Sequence, residues 1–389
     1  MRNNRLLFII TDLGSFNNFI SELCFYLIEN FEYEIHVICS PSKVISIKNK
    51  FDFTNNLKFH FVNIPRGFSL LQQIKSSKEL NKLINEINPD LIHAHFTTGI
   101  FTTILFKKLK YEIWGTFHGL GSVVTKGIRR EIFKLVELLC FSRVNKIIVL
   151  NNLDFELLKH SYGNKAIKGK SLGLGCDLKK FNPVNFNSTG RVSLKAQLNI
   201  ATQIVLTFTG RFVYFKGFDI VINTFLKLID RHPQKFKLLL IGGTDPIHNT
   251  GLTVDQEIAV FNHPDIINIG FTDEVERYLS ITDIFVFPSK KEGIPICVTE
   301  ALAMGVPVIT FDSRGCNELV IDKFNGSLIN NNMDLDRSVE SFLLEIENLS
   351  LEKKTLNTLR KNCFLEREKL SRQNFILEQS EWYLNYFNS

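Results

Sequence analysis

Four charged residues in the second half of the chain, two basic and two acidic, have types and spacings that could serve one extended, polyanionic ligand. Arg211 and Lys216 are five positions apart. Thr209-Gly210-Arg211 closes an apolar run, and Lys216-Gly217-Phe218-Asp219 opens a stretch of helical period. A guanidinium and an ammonium at the carboxyl end of a strand clamp a diphosphate, and a glycine beside them lets the backbone approach closely. Glu292 and Glu300 stand eight apart within Pro288-Ser289-Lys290-Lys291-Glu292-Gly293-Ile294-Pro295-Ile296-Cys297-Val298-Thr299-Glu300-Ala301-Leu302-Ala303-Met304-Gly305-Val306-Pro307. Pro295 suits a first helical turn, Gly305 suits a helix end, and Pro307 starts the next strand. The spacing therefore puts Glu292 in a loop and Glu300 inside the helix that follows. Such a pair either reaches two parts of one extended ligand or simply faces solvent. The free N–H groups at the front of the helix, near Gly293, Ile294 and Pro295, suit an anion or a hydroxyl.

Strands must end at these groups to position them. In the first half, Leu6–Ile10, Glu34–Cys39, Leu57–Ile64, Leu91–Ala94, Ile113–Phe117 and Lys146–Leu150 read as buried strands, with helical stretches such as Asn17–Glu29 and Lys78–Ile87 between them. The second half repeats the plan with Ile204–Thr209, Lys237–Ile241, Ile266–Ile269, Ile284–Phe287 and Val308–Thr310, and with helices over Asp219–Ile229, Glu274–Ser280 and Ile296–Ala303. Alternating strand and helix predicts parallel sheets with crossover helices. A chain of 389 residues is too long for one core, so two doubly wound α/β domains are expected, facing across a cleft. Phe181–Gly190, rich in Asn, Pro and Ser, reads as the linker, giving domains over 1–180 and 181–371. After Met333 the pattern is helical to the end.

Other candidates sit at predicted strand ends. Gly115-Thr116-Phe117-His118-Gly119-Leu120-Gly121 places one histidine between glycines. His93 and His95 lie two apart on one strand face, a weak metal signal that favours a structural or cleft-lining role. Asp12-Leu13-Gly14-Ser15-Phe16 joins the first strand to a helix, and Asn268-Ile269-Gly270-Phe271-Thr272-Asp273 follows a later one. Asp334-Leu335-Asp336 has the spacing of a metal-binding D-x-D pair, but it opens a predicted helix, where Asp is a common cap.

Composition narrows the classes. Hydrophobic residues make up 44% and charged residues 22%, ordinary for a globular protein. The apolar run Leu6 to Ile10 is too short for a signal peptide core or a membrane span. Seven cysteines without a C-x-x-C pair suggest buried free thiols in a reducing compartment. Between Lys107 and Lys146 stand nine basic and three acidic residues, as much net positive charge as the whole chain's +6. Within it, Gly127–Ser142 mixes Arg129, Arg130 and Lys134 with Ile132, Phe133, Val136 and Leu139. That helix is either interfacial, with Lys126 and its neighbours on an anionic membrane, or packed on the core with a solvated face.

The two signatures together resemble glycosyltransferase family 4: the E-x7-E pair with its glycines and prolines, and the G-R…K-G motif. The resemblance runs from about Leu6 to Gly326, with Gly173-Leu174-Gly175-Cys176-Asp177 similar to the interdomain segment. It implies the GT-B fold, with the terminal helix 372–389 packing back on the first domain. It implies a retaining transfer of a hexose-type sugar from a nucleotide-diphosphate donor to a lipid-linked acceptor in surface polysaccharide assembly (O-antigen or capsule), at the cytoplasmic membrane face. By resemblance, Arg211 and Lys216 hold the diphosphate and Glu300 the ribose. Glu292 and His118 lie at the donor sugar, backbone near Thr272 reads the base, and Gly14 and Ser15 approach phosphate or acceptor. It implies no metal, no cofactor beyond the donor and no nucleic-acid partner. Competing readings are a nucleotide-sugar epimerase, a sugar phosphorylase and a catalytically silent scaffold. Intact Arg211, Lys216, Glu292 and Glu300 argue for transfer.

Overall fold

Continuous apolar runs bounded by polar turns become strands buried on both faces, as parallel sheets require. The computed structural model describes residues 4–41, 56–65, 67, 69–105, 110–246, 248–290 and 292–388. Lys107, Lys108 and Lys291 lie outside them. The chain forms two units, Met1–Lys170 with Phe375–Ser389, and Ser171–Asn374.

The first unit holds strands β1 (Arg5–Asp12), β2 (Glu34–Ser40), β3 (Leu57–Phe61), β4 (Leu91–His95), β5 (Glu112–Phe117), β6 (Lys146–Val149) and β7 (Ala166–Lys168). They form one parallel sheet in the order β3-β2-β1-β4-β5-β6-β7. Leu6 to Ile10 of β1 are wholly buried at its middle. The last helix, Arg372–Phe387, supplies Tyr383, whose ring stacks on Trp114 and whose hydroxyl meets His93 Nδ1 at 2.5 Å.

The second unit holds β8 (Ile204–Phe212), β9 (Phe236–Thr244), β10 (Ile266–Gly270), β11 (Ile284–Phe287), β12 (Val308–Phe311) and β13 (Gly326–Ile329). Their parallel order is β10-β9-β8-β11-β12-β13. Phenylalanine fills this core: Phe212 and Phe218 stack at 4.6 Å between centroids, and Phe208, Phe225, Phe236, Phe285 and Phe287 are buried around them. In each sheet the strand order reverses once, between β1 and β4 and between β8 and β11, and that reversal is where ligands bind doubly wound sheets. Arg211 is the last residue but one of β8 and Lys216 follows that strand, while Glu292 follows β11, so one reversal point is flanked by both motifs.

Three expectations are corrected. The chain passes between units at Lys170 and Ser171, not at 180 and 181. Phe181–Gly190 is not a linker: Phe181 is buried in the second core, Asn182 caps a short 3-10 turn, and Asn187 caps the helix Ser188–Gln197. Gly14 and Ser15 form no loop. They sit in the first turn of the helix Leu13–Phe19, where Asp12 accepts the Ser15 N–H at 2.9 Å and its hydroxyl at 3.0 Å. Asp334 caps the helix Leu335–Leu351, accepting the Arg337 N–H. Among the described residues no helix is long and apolar enough to cross a membrane.

Candidate active site

In the second unit the two motifs meet through a lysine and a glutamate. Lys216 ends a 3-10 turn, and its ammonium pairs with Glu292. The side chains are 20% and 10% exposed. Ser289 donates its hydroxyl to the same Glu292 oxygen at 2.6 Å, and Ser313 in turn donates to the Ser289 carbonyl at 2.8 Å. The loops close this tightly because two glycines lack a Cβ. Gly217, at φ 75°, would drive a Cβ into the Pro288 carbonyl, and Gly315, at φ 78°, into that of Gly293. Gly217→Ala is therefore expected to cost about 1–3 kcal/mol of stability, through the left-handed backbone alone. Thermal unfolding of the variant checks it, and a melting temperature equal to wild type would contradict it.

Arg211 is more open, with its side chain 48% exposed. It lies over the Phe215 ring and donates to Asp245 Oδ2 at 2.5 Å, an oxygen that His248 also approaches at 3.5 Å. Asp245 and His248 follow β9, and no motif in the sequence marked them. Both cations are thus held by carboxylates.

Glu300 lies in the helix Ile296–Ala303 as expected. Burial raises its carboxyl to about 7, against the lowering influence of Lys180 and Arg372. Cys297, one turn earlier, has its thiol pushed well up by burial, and the charges of Lys216, Glu292 and Glu300 all act on it. Lys216 and Glu292 are thus paired, and Glu300 lies in the helix that opens from the Glu292 loop. Pro295 stands at the cap position, one residue before the helix, and no side chain caps that end. Gly293 and Ile294 precede it, and Ile294 packs against Gly173. Thr272 accepts the Glu274 N–H at 3.0 Å, shaping the turn after β10. Lys180 anchors that turn through the Asp273 carbonyl.

In the first unit, His118 directly follows β5 and belongs to a buried histidine cluster. Its Nε2 lies 3.1 Å from His95 Nδ1, and its Nδ1 is buried with no hydrogen-bond partner among the described residues. His93 bridges Tyr383 and Thr116 through its two nitrogens. Burial lowers His118 and His93 to about 3, and it lowers His95 well below the ordinary value, with its two neighbours adding to the effect. The cluster is neutral at physiological pH, so His118 offers a hydrogen bond rather than a proton. Phe96, next to His95, holds φ 64° and ψ 145°, a conformation that costs a non-glycine residue about 1–3 kcal/mol.

The helix Gly127–Arg143 packs on the core through Val136, Glu137, Cys140 and Phe141. Glu137 accepts the N–H groups of Gly121 and Ser122 and the Ser122 hydroxyl, tying the segment after His118 to this helix. Ile128, Ile132, Leu135 and Leu138 face outward, Ile128 at 76% and Leu135 at 71% exposure. Lys126, Arg129, Arg130 and Lys134 are exposed beside them.

Residues 10–151 match the family described as glycosyl transferase 4-like, and residues 203–348 match glycosyl transferases group 1. The chain is 26% identical over 345 residues to a UDP-Gal:alpha-D-GlcNAc-diphosphoundecaprenol alpha-1,3-galactosyltransferase of Escherichia coli, covering 87% of this chain and 85% of that protein. It is 27% identical to an N,N'-diacetylbacillosaminyl-diphospho-undecaprenol alpha-1,3-N-acetylgalactosaminyltransferase of Campylobacter jejuni, covering 72% and 74%. Among solved structures, sucrose-phosphate synthase from Thermosynechococcus elongatus superposes with a TM-score of 0.78 at 19% identity, over 99% of both chains.

Proposed function

Because the chain belongs to glycosyltransferase family 4 and has the GT-B fold, we propose that it transfers a hexose-type sugar from a nucleoside-diphosphate donor to a lipid-diphosphate-linked glycan, with retention at the anomeric carbon. The observation that carries this reading is the Lys216–Glu292 pair, with Glu300 in the helix that opens from the same loop, beside the strand reversal that Arg211 flanks. Arg211 and Lys216 exchange their carboxylate partners for the donor diphosphate and stabilise charge as it leaves. Glu292, released from Lys216, accepts donor-sugar hydroxyls and favours positive character at the anomeric carbon. Glu300 accepts the ribose hydroxyls, and backbone around Thr272 and at Gly293, Ile294 and Pro295 receives base and phosphate. His118, neutral, hydrogen-bonds a sugar hydroxyl. The acceptor attacks on the face the diphosphate leaves, so no side-chain nucleophile is assigned. Gly14 and Ser15 lie on the acceptor side.

The acceptor class rests on the E. coli and C. jejuni relatives, whose names specify diphosphoundecaprenol substrates. A lipid-linked acceptor places the enzyme at the inner face of the cell membrane. The exposed apolar stripe of the helix Gly127–Arg143, edged by Lys126, Arg129, Arg130 and Lys134, suits that surface. Surface polysaccharide assembly is the pathway class that joins such a donor to such an acceptor.

Purified protein assayed with a panel of nucleotide sugars and a short-chain prenyl-diphosphate saccharide tests the reading. Transfer from one donor is expected, and product with inverted anomeric configuration would overturn the stereochemical part. Glu300 supplies a separate check. Only its ionised form accepts two hydroxyls, so affinity for UDP is expected to rise up to tenfold per pH unit and level off above about 7. Stability runs the other way. The folded-state pKa is raised, so the folded protein binds the extra proton, and this group's contribution falls as pH climbs from the ordinary glutamate range to about 7. Calorimetric UDP titrations between about pH 5 and 8 decide it, and an affinity flat with pH removes Glu300 from the ribose.

A further inference from the structure

Phe96 adopts a backbone that phenylalanine does not take without compensation. It holds φ 64° and ψ 145° between β4 and the helix Thr97–Ile104. Starting that helix does not require it, since an extended residue with negative φ serves as a helix cap. Its N–H donates to the Thr116 carbonyl at 3.0 Å, and its carbonyl accepts from Ile100 at 2.9 Å, so both ends of the twist are pinned. The consequence is where the ring lands. It stacks on His118, with centroids 4.2 Å apart and planes at 24°. Phe19, at the end of the helix Leu13–Phe19, meets the same imidazole nearly edge-on at 4.6 Å and 66°, and it also abuts Phe96. In the ring plane, His95 Nδ1 occupies His118 Nε2. His95 lies against His93, whose own nitrogens are both taken.

We infer that Phe96 and His95 are positioning residues that lock His118 into one ring orientation and one tautomer, leaving Nδ1 as the only nitrogen it offers to a sugar hydroxyl. This rests on the role proposed for His118 in donor-sugar binding. His95 Nε2 and His118 Nδ1 are both buried without a hydrogen-bond partner among the described residues. The Nδ1–Nε2 hydrogen bond between the rings therefore ties the two tautomers together, and whichever ring donates it, Nδ1 is the nitrogen that His118 has left over. The backbone strain at Phe96 is then part of the site: it holds an aromatic wall that an extended residue would direct elsewhere.

The test is the two-bond proton–nitrogen spectrum of the full chain labelled with 15N-histidine, with His118 assigned by its disappearance in His118→Ala. The wild type is expected to show the pattern of a single tautomer for His118 at neutral pH. Phe96→Gly relaxes the backbone and removes the wall, and His95→Asn removes the in-plane partner. Each is expected to give averaged tautomers and a transfer rate about 100-fold lower at little-changed donor KM. Phe96→Leu keeps apolar bulk without the ring, so it guards against a folding failure in the glycine variant, and it is expected to lose the single tautomer as well. Phe96→Tyr is expected to restore it. Wild-type nitrogen shifts for His118 in the glycine, leucine and asparagine variants overturn the proposal, as do averaged tautomers in the wild type. The spectrum does not depend on turnover. A locked tautomer alongside a fully active His118→Ala enzyme removes His118 from catalysis while leaving the clamp intact.

Discussion

Lys216→Ala is expected to lower the sugar-transfer rate by about 10²–10³-fold, the effect of removing one preorganised group that meets developing charge. The size follows from where Lys216 sits. Its ammonium is mostly buried, so its field on a departing diphosphate is little screened by water, and it needs no reorganisation beyond giving up Glu292. The substitution also leaves the Glu292 carboxylate, 10% exposed, with Ser289 as its remaining described partner. A carboxylate there without its lysine repels the incoming phosphate. Arg211→Ala is expected to cost less, because Arg211 is half exposed and its loss leaves Asp245 beside His248. The loss should appear mainly in kcat, since charge on the leaving oxygen grows toward the transition state. Lys216→Arg should not rescue fully, because a planar guanidinium fork does not reproduce the compact ammonium that Lys216 sets against Glu292. Steady-state transfer with the preferred donor, with UDP affinity alongside, measures both. A Lys216→Ala enzyme within a few-fold of wild type would remove the diphosphate role from this residue.

The placement of the charged residues at the strand ends was legible because each motif is local. Arg211 with Lys216, and Glu292 with Glu300, lie within short segments whose glycines and prolines announce their turns. What holds them is not local. Asp245 and His248 reach Arg211 from the end of β9, and nothing in the spacing links that loop to β8. Phe96 looked like any apolar residue after a strand, because a positive φ leaves no mark when the residue is not glycine. The Asn- and Pro-rich stretch at Phe181–Gly190 misled for a physical reason: Asn and Pro favour loops and also helix starts, and here Asn182 and Asn187 are caps. The helix Gly127–Arg143 was open to an interfacial and a core-packed reading, and the structure shows apolar residues on both its inward and its outward face. The inward face carries a glutamate, because Glu137 is satisfied by the amides of Gly121 and Ser122.

That leaves the other stripe outside, and it sets the second large effect. Arg129→Glu with Arg130→Glu is expected to abolish co-sedimentation with vesicles containing anionic lipid. Each cation near such a surface contributes about 1 kcal/mol, so two reversals remove two attractions and add two repulsions, about 4 kcal/mol or three orders of magnitude in partitioning. Ile128→Ser with Leu135→Ser tests the apolar half at constant charge, where burial of each side chain contributes up to about 1.5–3 kcal/mol. All four residues are exposed and outside the core, so their unfolding temperatures should match wild type. Salt should weaken the wild type and leave the residual binding of the charge-reversed protein unchanged. If the charge-reversed protein still sediments with anionic vesicles, or the serine variant sediments as well as wild type, this stripe is not the lipid contact. Because Glu137 on the opposite face of the same helix holds Gly121 and Ser122, a membrane seated on the stripe would bear on the segment that follows His118. Transfer to a vesicle-embedded acceptor should then fall more steeply in these variants than transfer to a soluble short-chain one.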